Sequence, residues 1–181
     1  MRSGYKKAVE TAKGSGAIIS FDPNLRENLW DSLDKAREKI AYGISECDIL
    51  KISDNEIQWF TGEQDFDRAV EILRGRYGNI KLLLLSLGKN GSRAYCGENS
   101  AFAPAVHANT IETTGAGDTF CGGILAKVLK YGLRNYSAEE LTGILNYANS
   151  AAGIVTERRG ALKVMPSPAE INERMERITN D

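Results

Sequence analysis

The most informative stretch of this chain is Thr113-Thr114-Gly115-Ala116-Gly117-Asp118-Thr119-Phe120. Two glycines and an alanine stand directly before an acid, and a long apolar helix is predicted to begin beside them. The N–H groups at a helix start have no partner within the helix, and they carry the positive end of its dipole. Small residues let a phosphate approach these groups closely. The stretch therefore predicts an anion cradle, with Asp118 placed to take a proton from an attacking hydroxyl.

A plainer interpretation of the same residues stays open. Glycines before a helix often only form a turn, and an aspartate in the first helical turn is a good cap. The stretch is not a Walker A loop, because no Gly-Lys-Ser/Thr follows at the required spacing, and it is not a GxGxxG motif.

The bulk properties are those of one soluble globular domain, which we predict to span residues 1–181. The chain has 181 residues, of which 42% are hydrophobic and 26% are charged, and this composition supports a core of ordinary size. Its net charge of −1 lacks the basic excess typical of proteins that bind nucleic acids or membrane surfaces.

Cysteine and histidine usage argues against several kinds of site. Cys47, Cys96 and Cys121 show no metal-binding spacing, so we expect buried thiols in a reducing cytoplasm. The only histidine is His107, which makes a histidine-based triad a poor fit. The first residues are polar, so no signal peptide is expected, and the longest apolar run, Leu82–Leu85, is far too short for a membrane span.

Hydrophobic periodicity predicts strands that alternate with helices. Strands are predicted at Ala17–Phe21 (buried), Asp48–Ile52, Ile80–Leu87 and Ser92–Cys96, and short strands and loops at 97–112. Helices are predicted at 4–14, Asp31–Tyr42, Asp54–Phe60, Asp65–Tyr77, Ala116–Tyr131, Ala138–Val155 and Ser167–Ile178. This order favours an α/β fold with a mainly parallel sheet, in which ligands bind beyond the carboxyl ends of the strands.

Five segments, in order along the chain, resemble motifs of the PfkB (ribokinase-like) carbohydrate kinases. They are Asp22-Pro23-Asn24-Leu25-Arg26, Lys51-Ile52-Ser53 with Glu56 and Thr61-Gly62, Ser86-Leu87-Gly88-Lys89-Asn90-Gly91, Thr114 to Phe120, and Ala148 to Ala152 with Arg159-Gly160-Ala161. The first of these is similar to a segment of the family's fructokinases. The resemblance implies a three-layer α/β/α fold and ATP-dependent phosphorylation of a sugar hydroxyl, with fructose as the first candidate.

The resemblance also assigns roles to single residues. Asp118 would be the catalytic base, and the N–H groups of Gly115, Ala116 and Gly117 would form the anion hole. Ser86, Gly88, Gly91, Asn149 and Gly117 would contact the nucleotide, Asn24 and Arg26 would lie near phosphate or substrate, and Glu56 would hold Mg²⁺ through water. Ordinary structural roles stay open for each of these residues; Arg26, for example, would equally well stabilise its own loop by pairing with Asp22.

Three departures from the family pattern bear on function. Ser53 stands where many relatives carry Asn in the magnesium segment. Glu112 stands where the family often has Asp, and this longer side chain puts K⁺ activation in doubt. K⁺ stays open as a cofactor beside ATP and Mg²⁺. The chain also resembles only the C-terminal part of a sugar kinase, without the N-terminal strands, most sugar contacts and the β lid.

Three hypotheses follow from this partial resemblance. The chain is a part of a fructokinase-like enzyme, or a nucleotide-binding module that works through a partner, or a small kinase whose site is completed in a homo-oligomer. The lost strands would leave a sheet edge and apolar faces that need a cover.

Overall fold

A computed structural model describes the backbone of residues 2–160 and 162–180, and the side chains of 4–160 and 162–177. Ala161, from the last of the resembling segments, lies outside the described residues. The strands are β1 (Ser20–Phe21), β2 (Ile49–Ser53), β3 (Leu82–Ser86), β4 (Ser92–Cys96) and β5 (Asn99–Ala103). The helices are α1 (Arg2–Gly14), α2 (Leu33–Glu46), α3 (Asp54–Thr61), α4 (Phe66–Arg76), α5 (Ala116–Tyr131), α6 (Ala138–Thr156) and α7 (Pro168–Asn180).

The strands follow the order β1-β2-β3-β4-β5 in one sheet, which confirms the predicted α/β class. β1 runs parallel to β2, with Ser20 opposite Ile49. β4 and β5 form an antiparallel hairpin, with Ser92 opposite Ala103.

By its internal packing the chain divides into two compact units, one up to Leu85 and the other from Ser86 onward. The expectation of a single domain over 1–181 stays a prediction. Each unit has its own buried residues and its own share of the predicted site residues, and we describe the two in turn.

The core of the first unit is built on β2 and β3. Four consecutive residues are buried in each strand, as expected of parallel strands that are covered on both faces. Local signals fix the ends of α2 and α3, the helices before and after β2. Ser32, the residue before α2, accepts a hydrogen bond from the Lys35 N–H, and α3 ends at Gly62, whose positive φ of 79° suits glycine.

The prediction of a buried strand over Ala17–Phe21 was wrong in length and in burial. Only Ser20 and Phe21 form β1, and Ser20 is exposed. Phe21 packs over Gly43 of α2, where a Cβ would come within 2.4 Å of the ring, but Ile18 remains 49% exposed. The run is apolar enough for a central strand, yet β1 stands at the end of the strand order, so half of its surroundings are open.

In the second unit, α6 is the central helix. It packs on α5, on the β4–β5 hairpin and on α7. A cluster of buried side chains joins α6 to α7, formed by Tyr147, Ala151, Ile154 and Ile171 with Met175 against it. The predicted helices at 116–131 and 138–155 are confirmed. α6 begins with a capping box at Ser137, whereas α5 begins after Gly115 without a side-chain cap.

Candidate active site

The predicted anion cradle lies at the start of α5, in the second unit. Gly115 is the residue before the helix and has a φ of 80°, a left-handed conformation that side chains beyond glycine adopt at a cost. The Ala116 N–H donates to the Thr113 carbonyl over 3.2 Å, and the Thr119 N–H donates to the Gly115 carbonyl over 2.8 Å. We call residues Thr113–Gly117 the cradle loop. Its geometry is that of a tight turn leading into a helix, as the sequence predicted.

Asp118 occupies the first turn of α5 on its exposed side. The two residues that follow, Thr119 and Phe120, are buried, whereas Asp118 and Gly117 are exposed. The carboxylate is therefore presented to solvent while the next turn of the helix is anchored in the core. An exposed acid beside the N–H groups of a helix start is able to accept a proton close to a bound anion.

A close helix contact fixes the direction of α5. A Cβ on Gly123 would lie 3.1 Å from the Ala148 Cα, so α5 and α6 approach each other with no side chain between them at this point. Ile124 and Val128 continue the buried face of α5. The start of α5, with Asp118, is thus carried by a helix that has little room to move.

Asn149, predicted to lie near the nucleotide, is 8% exposed and forms hydrogen bonds at both ends of its amide. Its Oδ1 accepts from the Ser92 hydroxyl over 2.9 Å. Its Nδ2 donates to the Ala103 carbonyl over 3.2 Å and to the Pro104 carbonyl over 2.9 Å. Asn149 therefore fastens α6 to the beginning of β4 and the end of β5. The family resemblance predicted a role for Asn149 but none for Ser92, whose only signal is a hydroxyl at the start of a hairpin strand.

Gly88 and Gly91 shape the turn between β3 and β4. Their φ angles are 54° and 102°, and the Leu87 N–H donates to the Gly91 carbonyl over 2.8 Å. A Cβ on Gly91 would lie 2.2 Å from the Ala103 carbonyl oxygen. Gly91 is therefore required by the close approach of β5, the strand end that Asn149 also holds. Ser86 precedes this turn and is half-buried.

The predicted residues of the first unit meet around Glu56. Its Oε1 accepts from the Leu25 N–H over 2.7 Å. Its Oε2 accepts from the N–H and the hydroxyl of Ser53, over 2.9 and 2.7 Å. Glu56 thus completes a capping box at the start of α3 and also fixes the loop that contains Asn24 and Arg26.

Asp22 pairs with Lys51 and not with Arg26. Lys51 Nζ lies 3.0 Å from Asp22 Oδ2, and the two side chains are 8% and 20% exposed. Burial raises the pKa of Asp22, and the attraction of Lys51 opposes that rise. Arg26 is exposed and donates to the Leu25 carbonyl over 3.1 Å. No individual role was predicted for Lys51, although a lysine inside an apolar strand is a signal of a buried pair.

The surroundings of Glu56 fit a water-mediated contact with a cation better than direct ligation. A carboxylate has about four acceptor positions, and three hydrogen bonds from protein donors already use this one. Among the described residues, no three His, Cys, Asp or Glu side chains are grouped as a metal site. In the same part of the chain, no helix combines the length and the apolar character that crossing a bilayer requires.

A sheet with flanking helices and a tight glycine turn at a helix start are typical of α/β proteins that bind phosphate groups. The chain belongs to the pfkB family of carbohydrate kinases, whose family model matches residues 2–168. "Probable fructokinase-2" of Arabidopsis thaliana is 37% identical over 169 residues, which are 93% of this chain and 51% of that protein.

Solved structures show the same fold. A fructokinase double mutant from Vibrio cholerae O395, bound to fructose, ADP and potassium ion, has a TM-score of 0.85 and 26% identity over 96% of this chain and 55% of its own. A protein from E. coli with ATP and Mg²⁺ has a TM-score of 0.82 and 25% identity over 96% of this chain and 53% of its own. These confirm the ribokinase-like fold. The chain spans about half the length of each of these three relatives.

Proposed function

We propose that this chain carries the nucleotide-binding and base-bearing part of a fructokinase-like sugar kinase. The observation that carries the proposal is the exposed Asp118 directly after the cradle loop, at the start of a helix anchored on α6. Membership of the family and the fructokinase names of its relatives support a sugar, with fructose first, as the acceptor and ATP as the donor.

In the proposed reaction, Asp118 accepts the proton of a sugar hydroxyl as its oxygen attacks the γ-phosphorus of ATP. The new phosphorus–oxygen bond forms while the bond to the β–γ bridging oxygen breaks, and ADP leaves. The N–H groups of Gly115, Ala116 and Gly117 stabilise the charge on the transferred phosphoryl group, which is the larger part of catalysis in such reactions. The base contributes roughly 10²–10⁴-fold.

The family resemblance also gives roles to the remaining predicted residues. Mg²⁺ neutralises phosphate charge when bound, and we expect Glu56 to hold it through water. The turn between β3 and β4 would contact the nucleotide, and it is formed or held in place by Ser86, Gly88, Gly91 and Asn149. Asn24 and Arg26 stand on the loop that Glu56 fixes, where a phosphate or sugar contact remains a proposal. K⁺ remains a proposal as well.

The test is ATP turnover by the purified chain with Mg²⁺ over a panel of sugars led by fructose. Asp118→Asn keeps the size of the side chain and removes the base, so we expect turnover to fall by roughly 10²–10⁴-fold, with nucleotide affinity almost unchanged. Asp54→Asn is the matched control, because Asp54 is an acid in the first turn of α3 to which no role is given. Equal turnover by Asp118→Asn and the unaltered chain would refute the proposal.

A second candidate function is a nucleotide-binding module that works only with a partner or in an oligomer. The exposure of Ile18 beside β1 favours it, because an apolar run at a sheet edge needs a cover. Light scattering and ATP titration separate the candidates. A monomer that turns over sugar supports the first, and a chain that binds ATP but turns over no sugar supports the second. We expect a cytoplasmic location, since all three cysteines are free thiols.

A further inference from the structure

The segment that leads into the cradle loop runs along the carboxyl end of α6. The Thr156 carbonyl accepts two hydrogen bonds from this segment, one from the Ile111 N–H over 2.8 Å and one from the Glu112 N–H over 3.1 Å. Thr156 belongs to the last turn of α6, where carbonyls have no partner within the helix. The approach to the cradle loop is therefore held by a helix end that would otherwise lack donors.

Two carboxylates form hydrogen bonds between residues 109–112 and the turn after α6. Glu112, on the segment, accepts from the Gly160 N–H over 3.1 Å. Glu157, at the end of α6, accepts from the Asn109 N–H over 3.2 Å. Glu112 thus bonds to the backbone after α6, and Glu157 bonds to the backbone before Glu112. The two hydrogen bonds to the Thr156 carbonyl lie between them in the sequence. We call Glu112 and Glu157, with these two bonds, the crossed clamp.

Further donors hold both carboxylates in place. Arg174 of α7 donates to Glu157 over 2.7 Å, and its other nitrogen lies 3.4 Å from the His107 carbonyl. The pKa of Glu157 lies below its ordinary value, chiefly because of Arg174. The Thr114 hydroxyl and then the Gly160 N–H lower the pKa of Glu112. Glu112 directly precedes Thr113, the first residue of the cradle loop, so a restraint on Glu112 acts on the start of the loop.

We propose that Glu112 and Glu157 are positioning residues that hold the cradle loop through protein donors, without the aid of a bound monovalent cation. The inference rests on the proposed function, in which the cradle N–H groups must be fixed before the phosphate arrives. A displacement of about 1 Å at such a site costs on the order of 10²-fold in rate. The crossed clamp supplies that restraint from α6 and α7.

The clamp also bears on the potassium ion seen in a related fructokinase. Glu112 is the residue of this chain that the family resemblance connects with a cation. Its carboxylate already accepts from the Gly160 N–H, so a protein donor occupies it. Glutamate is one methylene longer than aspartate, which gives it the reach to the Gly160 backbone.

Amide hydrogen exchange, read residue by residue by NMR, tests the clamp without any need for activity. The probes are the amides of Ala116 and Thr119, which donate within the cradle loop and at its junction with α5. In Glu112→Ala we expect both to exchange roughly tenfold faster, while the amide of Leu145, in the middle of α6, keeps its rate. Glu112→Gln keeps an acceptor oxygen and should recover most of the protection. Glu98→Ala, at an exposed carboxylate in the β4–β5 turn, should change neither.

The outcomes separate this inference from the proposed function. Unchanged exchange at Ala116 and Thr119 would overturn the clamp, and so would an equal acceleration at Leu145, which would mean a general loss of stability. Protection that appears in the unaltered chain only with KCl, and not with choline chloride, would also overturn it. Faster exchange in Glu112→Ala in a chain that binds no ATP would uphold the clamp and refute the proposed function.

Discussion

Three glycine-to-alanine substitutions in the second unit separate backbone strain from steric contact. Gly122 lies inside α5 with open space around it, so Gly122→Ala should raise the free energy of unfolding by about 0.5–1 kcal/mol. Gly88 has open space but a φ of 54°, and Gly88→Ala should lower the free energy of unfolding by about 1 kcal/mol.

Gly91→Ala combines strain with a collision. Its φ of 102° and ψ of −142° belong to a region that is nearly restricted to glycine, which costs about 1–3 kcal/mol. The new methyl would lie 2.2 Å from the Ala103 oxygen and 2.8 Å from the Ala105 nitrogen. The end of β5 must therefore shift, at a further cost of about 1–3 kcal/mol. We expect a total loss of roughly 2–5 kcal/mol.

Urea denaturation followed by far-UV circular dichroism is the suitable assay. Trp30 and Trp59 both lie in the first unit, so tryptophan fluorescence would report on the wrong part of the chain. If Gly91→Ala lowers the free energy of unfolding by no more than Gly88→Ala does, the close approach of β5 to Gly91 is refuted. A loss in Gly122→Ala would refute the open space above α5.

Three further predictions concern buried pairs and pH. Lys51→Met should lower the free energy of unfolding at pH 7 by roughly 3 kcal/mol, because the partly buried Asp22 carboxyl loses the cation that offsets its desolvation; Asp22→Asn in that background should recover most of the loss in urea denaturation. Asn149→Leu should cost about 2–4 kcal/mol, since buried groups at both ends of the amide lose their partner, as measured by thermal unfolding. The pKa of Glu140 and that of Glu170 both fall from 4.5 to about 2. A carboxyl group whose pKa is lowered by folding stabilises the protein at pH values above its pKa in the unfolded chain. The free energy of unfolding of the second unit should therefore decline as pH falls from about 5 to 2. Glu140→Gln should flatten that decline in urea titrations at several pH values.

Each of these has a result that would contradict it. If the Asp22→Asn, Lys51→Met double variant is no more stable than Lys51→Met, the contact between Asp22 and Lys51 is screened by solvent and is not a buried pair. An Asn149→Leu protein as stable as the unaltered chain would mean that Ser92 finds another partner. An unaltered slope with pH in Glu140→Gln would show that the Arg134 contact does not persist in solution.

Much of the fold could be predicted because local and global signals agree. The sequence around Ser137 and Glu140 is a capping box, and α6 begins there. Leu82 to Leu85 are buried as their composition predicts. The burial of Ala17–Phe21 was predicted wrongly because the apolar residues of a strand show only that it is suited to a buried position. Whether the strand is buried depends on which elements pack beside it.

The candidate site was predicted in its motifs but not in its supporting contacts. The positive φ of Gly115 follows from the motif itself. The bond from Ser92 to Asn149 joins residues 57 positions apart, and the bond from Gly160 to Glu112 spans 48. No periodicity in one sequence records such pairs, because they depend on how the elements pack. Long-range polar contacts are therefore what the structure adds.

The short β1 strand has a consequence for how the chain behaves in concentrated solution. Ala17 to Phe21 carry no charge and no proline, and two isoleucines and a phenylalanine favour extended structure. Such a run at an open edge is a template on which identical chains add to one another, giving stacked cross-β assemblies. Asp22 and Pro23 directly follow it, and a charge and a proline are the residues that interrupt such growth. The loop whose aspartate pairs with Lys51 would then also act as a gatekeeper that keeps the molecule from fibril formation.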